Sequence, residues 1–182
     1  MAQAVLVIST GPGTGLTSVT VGLVHALDQR GIHVGFCKPV AQMHRLDTGP
    51  ERSSHLVSLI SDLTPPEPLA ANLVADRLAH GREEELLEDV VARYEQAAKN
   101  ADIVIVEGLV AAPETPYADE LNVRIASSLD AKVILVSSTV EKTQAQLAEV
   151  LELTSREFGD RALGYILNQV GSPNRESGFA RV

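Results

Sequence analysis

The chain alternates short apolar runs with longer segments of helical period, and this alternation constrains its fold more than any other feature. The apolar runs are rich in Val, Ile and Leu and are continuous, as expected for strands that are covered on both faces. They predict strands at residues 4–8, 33–37, 103–106, 132–136 and 162–167. A helical period follows most of them. We therefore expect an α/β fold with a mostly parallel sheet and helices on both faces.

Helices are predicted between these strands, at residues 17–30, 51–62, 69–80, 83–100, 119–129 and 143–158. The pattern at 69–80 is ambiguous, and a short helix is favoured there. The clearest helix is 83–100, because its apolar residues lie on one stripe. Its acidic start at Glu83, Glu84 and Glu85 is better explained as a charged first turn than as a metal cluster.

A length of 182 residues suits one domain. We predict that this domain covers residues 1–170. Residues 171–182 are rich in Gly, Ser, Asn and charged side chains and show no apolar period. They are expected to be a tail or the start of a linker to a further C-terminal region.

Composition and charge exclude several classes of function. The net charge is −9 and there is no dense basic segment, which argues against nucleic-acid binding. No apolar run approaches the ~20 residues of a membrane span, and no signal peptide is evident, so we expect a soluble, cytoplasmic protein. Cys37 is the only cysteine and is expected to be a small buried residue. The five histidines lack zinc-ligand spacing.

A glycine-rich loop, residues 10–17, joins the first strand to the first helix with the sequence TGPGTGLT. Such a loop can direct backbone N–H groups at an anion, and a threonine at the helix start can reach Mg²⁺. Gly15 and Thr17 fit the G-x-x-x-x-G-K-[ST] pattern, but Leu16 stands at the lysine position and Thr10 at the first glycine. The alternatives are a degenerate anion-binding loop and a plain turn. The candidate residues are Gly13, Thr14, Gly15, Leu16, Thr17 and Ser18.

Polar residues mark the carboxyl ends of other strands, where ligands of parallel sheets bind. Lys38 could hold a carboxylate or phosphate, and Glu107 followed by Gly108 could serve, with Thr17, on the Mg²⁺ side of a nucleotide. Asn168 could bond a base edge. The ordinary alternatives are a solvated lysine, a strand-end acid and a turn-capping asparagine.

Four segments, in this order, carry a resemblance: TGLTS at 14–18, FCKPVAQ at 36–42, VEGLV at 106–110 and GYILN at 164–168. Together they resemble the N-terminal domain of the long bacterial form of phosphate acetyltransferase. That domain is similar to dethiobiotin synthetase and the cobyrinic acid diamide synthetases. The resemblance implies a P-loop NTPase-like, dethiobiotin synthetase-like fold.

In that family, acetyl transfer between coenzyme A and phosphate belongs to a separate C-terminal domain. The resemblance therefore implies a non-catalytic region that regulates the enzyme and supports its homo-oligomer. Its expected partners are its own acyltransferase region, further copies and small-metabolite effectors. No cofactor is required, and weak Mg-nucleotide binding stays open. The alternatives are an ATP-dependent ligase of the dethiobiotin synthetase type and a ligand-free assembly module.

The resemblance to dethiobiotin synthetase also implies roles for single residues. The loop residues of that enzyme correspond to Gly15 and Thr17, and the lysine of its K-P-V segment corresponds to Lys38. The acid of its V-E-G segment corresponds to Glu107, and its base-contacting asparagine corresponds to Asn168. The loop lysine is missing at Leu16. An acid after the K-P segment should help to hold Mg²⁺, for which Asp47 and Glu51 are the candidates.

Overall fold

The computed structural model describes residues 2–42, 49–140 and 142–170. The predicted tail at 171–182 and the candidate Asp47 lie outside these residues. Along the described chain the elements are β1 (Gln3–Ser9), α1 (Leu16–Asp28), β2 (Val34–Cys37), α2 (Arg52–Ile60), α3 (Ala71–Ala79), α4 (Glu83–Ala97), β3 (Ile103–Glu107), α5 (Ala118–Ser128), β4 (Lys132–Ser138), α6 (Gln144–Phe158) and β5 (Ala162–Asn168).

The five strands form one sheet in the order β2-β3-β1-β4-β5. All four neighbouring pairs are parallel. At the centre, Val5 of β1 lies opposite Ile105 of β3 on one side and Lys132 of β4 on the other. The predicted parallel α/β sheet is confirmed.

Helices cover both faces of this sheet. On one face, Val24 of α1 and Val57 of α2 pack in an apolar cluster with Val7, Phe36 and Ile105. On the other face, a larger cluster joins α4, α5 and α6 to the strands through Leu86, Val90, Ile125, Phe158, Leu6 and Val106. Covering on both faces explains why the strands read as continuous apolar runs.

The predicted elements are confirmed, with ends that differ by a few residues. The ambiguous segment forms α3. Helix α1 ends at Asp28, two residues before its predicted end, because the N–H of Gly31 returns to the Asp28 carbonyl and Gly31 takes a positive φ of 75°. Helix α6 begins with a capping box formed by Thr143 and Gln146.

The parallel topology gathers the polar candidates at one edge of the sheet. The glycine-rich loop follows β1, Lys38 follows β2, and Glu107 and Asn168 end β3 and β5. Strand β2 pairs with β3 so that Cys37 lies opposite Val106. The next residues, Lys38 and Glu107, are therefore brought together by the register of the sheet. Among the described residues, no helix is long and apolar enough to cross a membrane.

Cys37 gives a direct test of the packing of β2. Its side chain is fully buried, and burial raises the pKa of the thiol to about 12. At about pH 8, roughly one thiol in 10,000 would be a thiolate, the form that reacts with alkylating reagents. We expect the native protein to resist iodoacetamide for hours and to react promptly in guanidinium. Rapid stoichiometric labelling of the native protein would contradict the buried position.

Candidate functional site

The glycine-rich loop is held by its own hydroxyl groups. Ser9 Oγ lies 3.0 Å from Thr14 Oγ1 and accepts a hydrogen bond of 3.0 Å from the N–H of Gly11. Thr10 donates to Ser137 of β4 at 2.8 Å. Gly13 and Gly15 adopt φ values of 74° and 79°, in the left-handed region that favours glycine. These bonds and backbone angles therefore define the conformation of the loop.

Asn168 clamps this loop from the end of β5. Its Nδ2 donates to the carbonyl of Thr14 at 2.8 Å. A Cβ placed on Gly15 would lie 2.3 Å from the same nitrogen, so only glycine allows this approach. The side chain that was predicted to meet a base edge thus makes a bond to the loop itself.

Leu16, at the lysine position of the loop pattern, is a core residue. It is 5 % exposed and belongs to the apolar cluster that contains Val5, Val24 and Val136. The side chain at this position therefore supports the loop from the core and offers no charge to a phosphate. Besides this side chain, the loop has its backbone N–H groups and the N-terminus of α1.

A buried ion pair lies beside the loop. Lys38 Nζ is 3.1 Å from Glu107 Oε1 and donates to the carbonyl of Gly108 at 2.7 Å. Both charged residues are only 2 % exposed. The lysine predicted to hold a ligand and the acid predicted to hold Mg²⁺ are thus each other's partners.

Three hydroxyl groups complete what we call the carboxylate network, which consists of Thr17, Thr20, Lys38, Ser53 and Glu107. Ser53 donates to Glu107 Oε1 at 2.7 Å, and Thr20 Oγ1 lies 2.7 Å from Oε2. Thr17 Oγ1 is 3.0 Å from Ser53 and 3.4 Å from Glu107 Oε1. Both carboxylate oxygens therefore have partners within the protein.

The segment after β3 is fixed from two sides by side-chain amides. Asn122 accepts from the N–H of Leu109 at 2.8 Å and donates to its carbonyl at 2.9 Å. Gln42 does the same for Val110, at 2.8 and 2.9 Å. A Cβ on Gly108 would lie 2.7 Å from Ile8 and 2.8 Å from Asn122. Gly108 is thus required by close packing, and its carbonyl is held in place for Lys38.

The sequence candidates therefore separate into two groups. Thr17, Lys38, Glu107 and Gly108 meet at the carboxylate network, whereas Thr14 and Gly15 meet Asn168 at the loop. Gly13 and Ser18 are exposed.

Glu51, a candidate Mg²⁺ ligand, caps α2 by accepting from the N–H of Ser54. Within the described ranges, no group of three His, Cys, Asp or Glu residues could hold a metal ion.

Sequence reasoning missed four residues that shape the site: Thr20, Gln42, Ser53 and Asn122. Thr20 lies one turn beyond Thr17, and Gln42 ends the FCKPVAQ segment, so position alone could have marked both. Ser53 and Asn122 lie in α2 and α5 and carry no local signal. Only the packing of these helices against the strand ends reveals their roles.

A small pocket of about 100 Å³ opens beside the start of the loop. Ser9, Thr10 and Gly11 line it together with Asp119 and Glu157. The two carboxylates make it unfavourable for a phosphate.

Comparison with known proteins gives a family match over nearly the whole chain. The model of the AAA domain family matches residues 3–182. The chain is 44 % identical over 179 residues to the phosphate acetyltransferase of Pseudomonas aeruginosa and 34 % identical over 186 residues to that of Escherichia coli. These matches cover 94 % and 100 % of the chain but 25 % and 26 % of the relatives. The chain thus spans about a quarter of the length of the curated relatives it matches.

Solved structures show the same fold at low sequence identity. The 54 kDa signal recognition particle protein of Aeropyrum pernix, solved in complex with GDP, superposes with a TM-score of 0.60 at 18 % identity. That match covers 94 % of the chain and 36 % of the other. The tyrosine kinase domain of BceF gives a TM-score of 0.57 at 18 % identity and covers 93 % and 69 %. The predicted P-loop NTPase-like fold and the resemblance to phosphate acetyltransferase are both confirmed.

Truncation of Leu16 tests whether this side chain supports the core. Leu16→Ala should lower the free energy of unfolding by about 2–4 kcal/mol, because it removes a buried side chain and leaves a cavity. Leu59→Ala is the matched control, since Leu59 is 66 % exposed. Urea unfolding of both variants gives the measurement. Equal, small effects of the two substitutions would contradict the core role of Leu16.

A double-mutant cycle tests the buried ion pair. Lys38→Met leaves Glu107 buried without its cation and should cost about 3–5 kcal/mol of folding free energy. Glu107→Gln in the same protein should restore much of that loss, because it removes the uncompensated charge. Purely additive effects in denaturant unfolding would show that the two side chains do not interact.

Proposed function

We propose that this chain, which belongs to the AAA domain family, acts as a P-loop-like N-terminal domain of a longer phosphate acetyltransferase. In that protein it would regulate the enzyme and support its homo-oligomer in the cytoplasm. The similarity over about a quarter of each curated relative supports this. The conversion of acetyl-CoA and phosphate to acetyl phosphate and CoA would then be carried out by a C-terminal region, the main partner of this domain.

The observation that carries the non-catalytic part of the proposal is the pairing of Lys38 with Glu107 beside a loop whose lysine position is filled by buried Leu16. P-loop enzymes transfer phosphate with a loop lysine on the phosphates and a metal ion that neutralises developing charge. Here Leu16 occupies the position of the loop lysine, and the Glu107 carboxylate is already paired with the Lys38 ammonium. These two features of the described residues support a domain that does not transfer phosphate.

Weak anion binding is consistent with what the loop retains. A missing charge-assisted bond costs about 1.5–3 kcal/mol, which weakens binding by about 10- to 150-fold. We therefore propose that the loop receives an anionic metabolite through its backbone N–H groups and the exposed hydroxyl of Ser18. The residues concerned are Gly13, Thr14, Gly15, Leu16, Thr17 and Ser18. Lys38, Glu107 and Asn168 would set the shape of this site from behind. No cofactor is required.

Two observations bear on the alternatives. Leu16 argues against an ATP-dependent ligase, because the transferred phosphate would lack its lysine contact. The bonds that Ser9 and Asn168 make to Thr14 favour a ligand-free assembly module, since they complete the loop internally. An assembly module differs from the regulatory domain only in showing no response to metabolites.

The isolated chain should show no acetyl transfer and no ATP hydrolysis. One α/β domain occupies the described residues, and its fully buried pair of Lys38 with Glu107 is internal to the fold. A thioester assay with acetyl phosphate and CoA, and a phosphate-release assay with Mg-ATP, give the measurements. Turnover at about one per second, which is low for an enzyme, would contradict the proposal.

The regulatory role is tested in the longer protein. Removal of residues 1–170 should leave some acetyl transfer but change the oligomer size or the response to metabolites such as ATP, NADH and pyruvate, because an effector must act on two global states of the enzyme. Light scattering and effector titrations compare the truncated and intact proteins. Identical oligomers and identical titrations would overturn the regulatory role.

A further inference from the structure

An open groove runs along the outer side of α4, next to the carboxyl end of α5. Its volume is about 470 Å³. It is called the α4 groove below, and its lining residues are Glu84, Leu87, Glu88, Val91, Ala92, Glu95 and Ser128. It lies on a different element from the glycine-rich loop and the carboxylate network.

The floor of the α4 groove is apolar because of how α4 packs. Leu86, Val90 and Tyr94 form the buried stripe of this helix, facing the sheet. Leu87 and Val91 each follow a residue of this stripe in the sequence, and both are half-buried at the edge of the core. Spaced by four residues, they form a short row parallel to the helix axis. Ala92 is exposed, and its small side chain leaves open space beside this row.

The rim of the α4 groove is acidic and uncompensated. Within the described part of the chain, Glu84, Glu88 and Glu95 take part in no ion pair. Other acids of the same helix are compensated, since Glu83 lies 3.4 Å from Arg124 and Asp89 pairs with Arg77. The groove therefore combines an apolar row with three carboxylates free to meet cations.

We propose that the α4 groove binds a basic amphipathic helix presented by a separate protein. Such a helix would lay apolar residues spaced by three and four over Leu87, Val91 and Ala92, and its lysines or arginines would meet the three glutamates. A second copy of this chain fits poorly, because a symmetric contact would bring the same glutamates face to face. The net charge of −9 adds to that repulsion.

Binding is tested with synthetic peptides of about 18 residues, long enough for five turns of helix. One peptide carries leucines at helical spacing flanked by lysines, and a second has the same composition in scrambled order. Fluorescence anisotropy should show at least tenfold tighter binding of the amphipathic peptide to the chain. High salt should weaken this binding by screening the carboxylates. Equal binding of both peptides would overturn the proposal, because it would reflect general attraction to an acidic protein.

Substitutions locate the peptide. Ala92→Arg places bulk and positive charge on the floor of the groove and should weaken binding at least tenfold. Ala145→Arg, at an exposed position of α6, is the control and should not. The triple variant Glu84→Gln, Glu88→Gln, Glu95→Gln should also lose affinity. Its control removes the exposed charges of Asp28, Glu149 and Asp160, which lie outside the groove. Equal affinity of groove and control variants would overturn the proposal.

A labelling experiment gives a second readout. Because Cys37 is buried, a cysteine introduced by Ser128→Cys supplies an accessible thiol at the groove. Saturating amphipathic peptide should slow its alkylation several-fold and leave Ser58→Cys, on α2, unaffected. Equal rates with and without peptide would contradict docking at this place. Sedimentation that showed dimers abolished by Ala92→Arg would assign the groove to a second copy instead.

Discussion

The buried pairing of Lys38 with Glu107 is the interaction on which the site depends. Lys38 follows β2 and Glu107 ends β3, while Thr17 and Thr20 of α1 and Ser53 of α2 donate to or surround the same carboxylate. Groups on or next to β2, β3, α1 and α2 thus meet at the Glu107 carboxylate. Burial of two charges is tolerated only when their remaining bonds are made, and here the hydroxyls and the Gly108 carbonyl make them. The network fixes where the first turn of α1 sits, and therefore where the glycine-rich loop ends.

The glycine-rich loop is shaped by groups on three sides. Leu16 anchors it in the core, Asn168 holds the Thr14 carbonyl, and Ser9 bonds to Thr14 from within. The conformation of the loop is thereby set by packing and by hydrogen bonds within the domain. Leu16 stands where the loop pattern has the lysine that acts on a bound phosphate, and Thr10 stands where it has the first glycine. This combination is the structural basis of the role in regulation and assembly proposed above.

Much of the fold could be predicted because strands buried on both faces and amphipathic helices leave strong patterns. The residues at the strand ends could also be marked, since parallel topology places them at one edge. Local patterns could not show that Lys38 and Glu107 neutralise each other, because that depends on the pairing of β2 with β3, which are far apart in sequence. Nor could they show that Ser53 turns inward from α2 or that the Asn168 amide bonds to the loop. Such contacts are set by tertiary packing.

The most direct test of the account is a calorimetric titration of ATP with saturating Mg²⁺ and, separately, with chelator. If the ammonium of Lys38 serves as the internal cation of Glu107, the metal gains no ligand there. The dissociation constant should then be no tighter than roughly 0.1 mM in both conditions and should change less than about twofold between them. Tightening by Mg²⁺ of about tenfold or more would show that the carboxylate network opens to a metal ion, and would contradict the account.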